Sequence, residues 1–258
     1  MEKLSKTIIF LPFVFCSCTH YYYVPSVQNV PLFREKNEYR ISGTIGGGDE
    51  TTCVEVQAAY SITDKVGVMA DFMTATGGDE ADKDYGKGNY FDGALGYYKP
   101  ISKNGVFEVY GGLGIANQHH EYSTNLYNNG VITPTYSGKS DLSTLKVFVQ
   151  PSLGLTFNLF DIGWSTRLNR LSFITVDNNI NNNLDLYNEL NDPSNKIHYY
   201  FEPAITLRGG WKNVKLQFQA AYSYYMNSPQ LYFGEEYHIS LGIYVAIAER
   251  YRKIDSKK

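Results

Sequence analysis

From Glu38 to Ile247 the chain repeats one pattern: about ten residues alternating apolar and polar, a break, then another ten. Ten such segments stand at roughly 38–46, 52–62, 66–75, 89–100, 106–121, 143–159, 162–176, 197–209, 214–226 and 236–247. A period of two places alternate side chains on opposite faces of a β-strand. In the last segment Tyr237, Ile239, Leu241, Ile243, Val245 and Ile247 share one face, with His238, Ser240, Gly242, Tyr244 and Ala246 on the other. The eighth sets Tyr199, Phe201, Pro203, Ile205 and Leu207 against Tyr200, Glu202, Ala204, Thr206 and Arg208. In the seventh the phase slips near Asn169–Arg170, which predicts a bulge there. The breaks alternate as well. "TDK", "KPISKNG", "FDIG" and "GGWKN" are short; 47–51, 76–88, 122–142, 177–196 and 227–235 are longer and polar. The pattern predicts an all-β fold, a ten-stranded antiparallel barrel with short turns at one end and long loops at the other.

The next question is which face meets which solvent. A soluble barrel of this size would enclose a wide apolar cavity and turn Gly, Ser and Gln to water. A membrane barrel inverts this, with the apolar face to lipid and the polar face lining the lumen. Tyrosines near segment ends (Tyr39, Tyr60, Tyr97, Tyr122, Tyr199, Tyr222, Tyr224, Tyr237) are placed as an interfacial girdle requires. Composition agrees: 23 Tyr, 14 Phe and 23 Gly among 258 residues suit pleated surfaces. Mean hydropathy is −0.31, and no apolar run outside the N-terminus is long enough for a helical span. A net charge of −3, without a basic stripe before the last ten residues, argues against a nucleic-acid partner.

By phase, the ionisable residues facing the lumen are Glu38, Glu55, Asp71, Asp92, Glu108 and Glu202 against Arg40, Lys146, Arg167, Arg208 and Lys215. Charge in a narrow interior has to be paired, and near balance suggests ion pairs across a filled lumen. A narrow, weakly selective channel is the alternative. His120, His198 and His238 share the lumen phase near the long-loop end, where Glu202 would be a fourth metal ligand. Hydrogen bonding to tyrosines is the simpler expectation for them, so neither a metal nor a cofactor is assigned. A rim hydrolase would draw on His119 or His120 with Asp79, Glu80 or Asp82. The acidic loop "GGDEADKDYGKG" lacks the oxygen spacing of a calcium loop. "NNINNNLDLYNELNDPSN" is a polar loop with a short helix expected at Leu184–Leu190. No phosphate-binding glycine loop, G-x-S-x-G or H-E-x-x-H is present.

The N-terminus, "MEKLSKTIIFLPFVFCSC", has Lys3 and Lys6, then an apolar segment from Thr7 to Phe15, then small residues. This is the layout of a secretory signal. Cys16 and Cys18 lack the second cysteine pair that a zinc site would need, and a disulfide between residues two apart is strained. The stretch resembles a bacterial lipoprotein signal, in which cleavage leaves a lipid-modified Cys as the first residue. Ser17 before Cys18 fits that role, and Phe15 stands where an aliphatic residue is usual. A signal peptide with incidental cysteines is the other reading.

The final strand carries a second resemblance. "SLGIYVAI" is similar to the insertion signal of outer-membrane barrels, with Ser240, Gly242, Val245 and Ile247 at the matching places. The chain departs from it by continuing through "AERYRKIDSKK". Residues 38–247 thus resemble small outer-membrane β-barrel proteins of bacteria, behind a lipoprotein-like front. The resemblance implies a signal peptide at 1–17, a periplasmic tether at 18–37, the barrel at 38–247 and a basic periplasmic tail at 248–258. Both termini are expected in the periplasm. The expected function is non-enzymatic: a structural or accessory barrel lipoprotein, or alternatively a narrow solute channel. Expected partners are outer-membrane lipid and another envelope protein, met through residues 21–33 or the extracellular loops.

Overall fold

The computed structural model describes residues 21–80, 83–128, 131–181, 197–227, 234–249 and 251. One antiparallel sheet is built from β1 (Tyr39–Gly47), β2 (Thr51–Ser61), β3 (Val66–Asp79), β4 (Asp84–Pro100), β5 (Gly105–Asn128), β6 (Val131–Thr156), β7 (Phe160–Asn181), β8 (Ile197–Gly210), β9 (Val214–Tyr222), β10 (Tyr224–Tyr225) and β11 (Tyr237–Ile247). β9 and β10 both pair with β8 and are one wall strand interrupted at Ser223. The wall therefore has ten strands. β11 pairs with both β1 and β9, and β9 with β8, so the sheet closes on itself. Closure leaves the sheet without a free edge strand, the condition for a sheet in lipid.

The faces fall as the alternation predicts. Ile41, Ile45, Val56, Phe72, Leu113, Leu216 and Leu241 point outward, Leu241 being 61% exposed. Arg40, Glu55, Gln57, Asp71, Gln150, Gln217 and Gln219 are buried inside. Leaving a large apolar side chain in water forgoes roughly 1.5–3 kcal/mol. A continuous belt of them is stable only against hydrocarbon. Tyr39, Tyr60, Tyr97 and Trp211 mark the short-turn end of the belt. Tyr199, Tyr222, Tyr224 and Tyr237 mark the long-loop end. Tyr122 does not belong to this girdle: it faces inward and is buried.

Several strands run further than the alternation showed. β3 and β4 extend to Asp79 and Asp84, and β5 and β6 meet at Asn128 and Val131, in stretches expected as loops. Above the belt the outward positions become Lys87, His119, Glu121, Lys139 and Asp141, so the outward face turns polar and the period-two signal fades. The ladder continues, with cross-strand pairs at His119–Asp141 (2.7 Å) and Lys139–Glu121 (2.5 Å). The helix expected at Leu184–Leu190 lies outside the described residues.

The bulge also falls elsewhere than expected. Thr144 pairs with Phe173 and Ser143 with Thr175, so Ile174 is the extra residue, and the ladder through Asn169–Arg170 is regular. The apparent slip arose because Leu171 and Phe173 face inward, where they pack with Tyr22 and Tyr200.

The main correction concerns the tether. Residues 22–33 do not hang beneath the barrel; they run through its lumen, nearly all of them buried. Val24, Val27, Val30, Leu32 and Phe33 are too apolar to stay in water, and the lumen is where they are covered. The C-terminal tail differs too. Ala248 and Tyr251 pack under Tyr244 and Ala246, and the Lys212 ammonium donates to the Tyr251 carbonyl. The tail thus begins as a cover over the short-turn end. Residues 252–258 lie outside the described residues.

Candidate functional site

The site is the lumen with the segment that fills it. At the long-loop end Tyr23 forms a parallel bridge with Gly234, and the Glu235 N–H donates to the Tyr23 carbonyl at 2.9 Å. Tyr22 and Tyr122 join hydroxyls at 3.0 Å, and Tyr23 stacks on Tyr200. At the short-turn end the Arg34 guanidinium donates to the Ser102 carbonyl and the Asn37 N–H to that of Ser61. Asn37, at φ 61°, then turns the chain into β1; asparagine tolerates this left-handed conformation better than most residues.

Between these ends the wall recognises the segment's backbone. Gln118 donates to the carbonyl of Tyr22, Gln57 to that of Val27 and Gln150 to that of Asn29. Gln219 accepts from the Gln28 N–H (2.6 Å) and donates to its carbonyl (2.8 Å). Pro31 has no N–H to satisfy, and its carbonyl receives Arg40 Nε and the Tyr244 hydroxyl. Glu55 accepts the Val27 N–H at 2.9 Å. Leu32 sits at φ 54°, which turns two successive N–H groups, its own and that of Phe33, onto the Glu108 carboxylate at 3.0 and 2.8 Å. Such paired N–H groups form an anion-binding concavity. Wall glycines leave room for the side chains. A Cβ at Gly67 would lie 2.8 Å from the Phe33 ring, and one at Gly163 would lie 3.1 Å from Val30.

All eleven lumen residues read from the sequence are buried inside, but they divide into two groups. Arg40 pairs with Glu38, Lys146 with Asp92 (2.6 Å), and Arg167 approaches Asp92 at 3.8 Å. Lys215 pairs with Asp161 at 2.7 Å. Asp161 is an inward acid that the sequence reading missed, because "FDIG" was taken wholly as a turn. Arg208 bonds Gln217 and stacks on Tyr244. Glu55, Asp71, Glu108 and Glu202 instead hold donors of the segment: Val27 N–H, Asn29 Nδ2, the Leu32 and Phe33 N–H groups, and the Tyr23 hydroxyl. Ser26 bridges the two groups. Its hydroxyl donates to Asp92 and accepts from Arg167.

The histidines of the lumen phase sit on β5, β8 and β11, no two of which are neighbours. His120 meets Tyr22 edge-on, and His198 shares a hydrogen bond with the Tyr225 hydroxyl at 2.9 Å. Among the described residues no three His, Cys, Asp or Glu are placed to hold a metal ion. His119 lies on the outer face, where it contacts Asp141 at 2.7 Å and Glu121 at 3.5 Å, while Glu80 pairs with Lys87, the cross-strand neighbour of His119; Asp82 lies outside the described residues. At the long-loop end Glu235 is buried and accepts the Thr51 hydroxyl. Burial pushes its carboxyl up to about 7. Of the insertion-signal positions, Ser240 and Gly242 face the lumen while Val245 and Ile247 face outward on β11. Cys18 lies outside the described residues.

No protein-family model and no curated protein matches the chain. Solved structures of similar fold are outer-membrane barrels. The outer membrane protease OmpT from Escherichia coli is 9% identical with a TM-score of 0.43, over 86% of this chain and 96% of its own. An outer membrane channel from Pseudomonas putida F1 is 9% identical with a TM-score of 0.41, over 85% and 100%. The N-terminal β-barrel domain of OprF from Pseudomonas aeruginosa is 10% identical with a TM-score of 0.33, over 83% and 99%. At these identities and TM-scores the likenesses assign no activity to this chain.

Proposed function

We propose that this chain is a non-enzymatic β-barrel lipoprotein of a bacterial outer membrane, a structural or accessory subunit whose lumen is sealed by its own N-terminal segment. One observation carries the reading: residues 22–33 occupy the lumen, and wall side chains bind their backbone as well as their side chains. A transport path would have to displace that network. Ten strands enclose a space between the filled eight-stranded barrels and the wide porins, and one extended segment is a suitable filling. Burial of 22–33 leaves the long-loop end as the surface for a partner protein. There β5 and β6 rise above the belt with a charged outer ladder. Lipid surrounds the belt, and Cys18 is the proposed acylation point, to be checked by the mass of the mature N-terminus.

The direct test is planar-bilayer conductance of the purified full-length protein, which should show no sustained openings. Steady openings would replace this reading with the narrow solute channel. The polarity of the wall favours that second reading, since withdrawal of the segment would expose Gln57, Gln150, Gln217 and Gln219, a hydratable lining.

A further inference from the structure

The luminal segment has a direction. Tyr23 is held at the long-loop end by Gly234 and Glu235, and Asn37 is held at the short-turn end by Ser61. Read backwards from β1, the chain enters at the short-turn end, crosses the barrel and reaches the long-loop end at Tyr22. β11 ends at Ile247 opposite Tyr39, so the C-terminus leaves at the short-turn end. We infer that the residues preceding Tyr21, Cys18 among them, are delivered to the long-loop side. The N-terminus then lies across the membrane from the C-terminus. In outer-membrane barrels the short turns face the periplasm, so the N-terminus faces the outside. This reverses the periplasmic placement expected for the N-terminus, because the luminal segment adds one crossing to those of the wall strands.

The same geometry gives the lipid reading of Cys18 a leaflet. Tyr21 packs against a cluster containing Cys53, Ala75 and Tyr90. Beside it, the outward positions pass from Val54 and Phe91 to Thr52 and Lys87, which is the upper edge of the apolar belt. Cys18 is three residues from Tyr21, a reach of at most roughly 11 Å, so acyl chains attached to it would belong in the outward-facing leaflet. A barrel already fixed in the membrane gains little anchorage from a lipid; the lipidated N-terminus is instead held on the loop side as a surface feature. The leaflet assignment rests on the lipoprotein reading, whereas the side assignment does not.

The experiment places one short epitope in each of three versions of the full chain: between Thr19 and His20, between Asn188 and Glu189, and after Lys258. Antibody binding is compared on intact and permeabilised cells, and heat-modifiable gel mobility confirms that each barrel is folded. The first two epitopes should share one compartment, intact-cell exposed, and the third should require permeabilisation. An N-terminal epitope that behaves like the C-terminal one overturns the inference. If an insertion prevents folding, Thr19→Cys labelled with a membrane-impermeant maleimide reads the same side. The mass of the mature N-terminus separates the two claims. An unmodified Cys18 removes the lipid while leaving the side assignment to the epitopes.

Discussion

Replacing Glu108 tests whether the wall's carboxylates hold the segment in place. Glu108 is fully buried, and its two oxygens accept the N–H groups of Leu32 and Phe33 at 3.0 and 2.8 Å. Hydrogen bonds to a charged group contribute about 1.5–3 kcal/mol each. Glu108→Ala should therefore weaken segment binding by about 3–6 kcal/mol. Glu108→Gln keeps one acceptor and turns an amide donor toward the other N–H, for a loss of about 1.5–3 kcal/mol. At 1.4 kcal/mol per decade, these losses raise the released fraction by at least about 100-fold and about 10-fold. The assay is the labelling rate of a Val30→Cys thiol by a hydrophilic maleimide, in a Cys53→Ala background. Val30 is fully buried, so labelling requires release. When the segment returns faster than the reagent reacts, the rate follows the released fraction. Heat-modifiable mobility confirms that the barrel stays intact. Rapid labelling with Glu108 present, unchanged by Glu108→Ala, would refute the reasoning.

Other substitutions probe the same packing. Gly67→Val drives a side chain into the Phe33 ring and should cost about 1–3 kcal/mol. Gly43→Val, on the lipid side where a Cβ meets nothing within 4 Å, should change stability by less than about 0.5 kcal/mol. Urea midpoints in vesicles compare the two, and equal losses would argue against a filled lumen. Asp92→Asn removes the buried charge that Lys146 binds at 2.6 Å and Arg167 approaches, with an expected loss of about 3–5 kcal/mol. A near-neutral urea midpoint would show that the pair is dispensable. Glu235 supplies a pH dependence. Its folded carboxyl is raised by burial to about 7, above its unfolded value, so folding favours the protonated form. The stabilisation is full below about pH 4.5 and is lost as pH rises through 7. Amide exchange around Tyr23 and Glu235 should accelerate between pH 5 and 8 beyond the intrinsic rate. Glu235→Gln should remove that excess, and an excess that persists would assign it elsewhere.

The wall was legible because burial in lipid and in a polar lumen imposes a strict period of two on each strand, as in β8 and β11. The signal faded where outward positions met water, at Lys87, His119 and Lys139, although hydrogen bonding there continues. The eleven inward charges were readable from phase alone. Their partners were not, because Glu55 and Glu108 are satisfied by main-chain N–H groups, which every residue but proline carries. The luminal segment was misread for a related reason. Pro25 and Pro31 remove it from any ladder, and without a ladder it shows no period, so it looked like a linker. One signal did point to burial. "VPSVQNVPLF" places Val24, Val27, Val30, Leu32 and Phe33 within ten residues, more apolar surface than a tether in water would carry.

Occupation of the lumen can be tested most directly by a covalent bond between segment and wall. A Cβ built at Gly163 lies 3.9 Å from the Val30 Cβ, within the range of about 3.5–4.5 Å seen across disulfides. A Val30→Cys/Gly163→Cys variant, again with Cys53→Ala, should oxidise to one internal disulfide in the folded barrel. Mass spectrometry should then recover the linked peptides. A folded barrel in which both thiols are alkylated and no link forms would contradict the account.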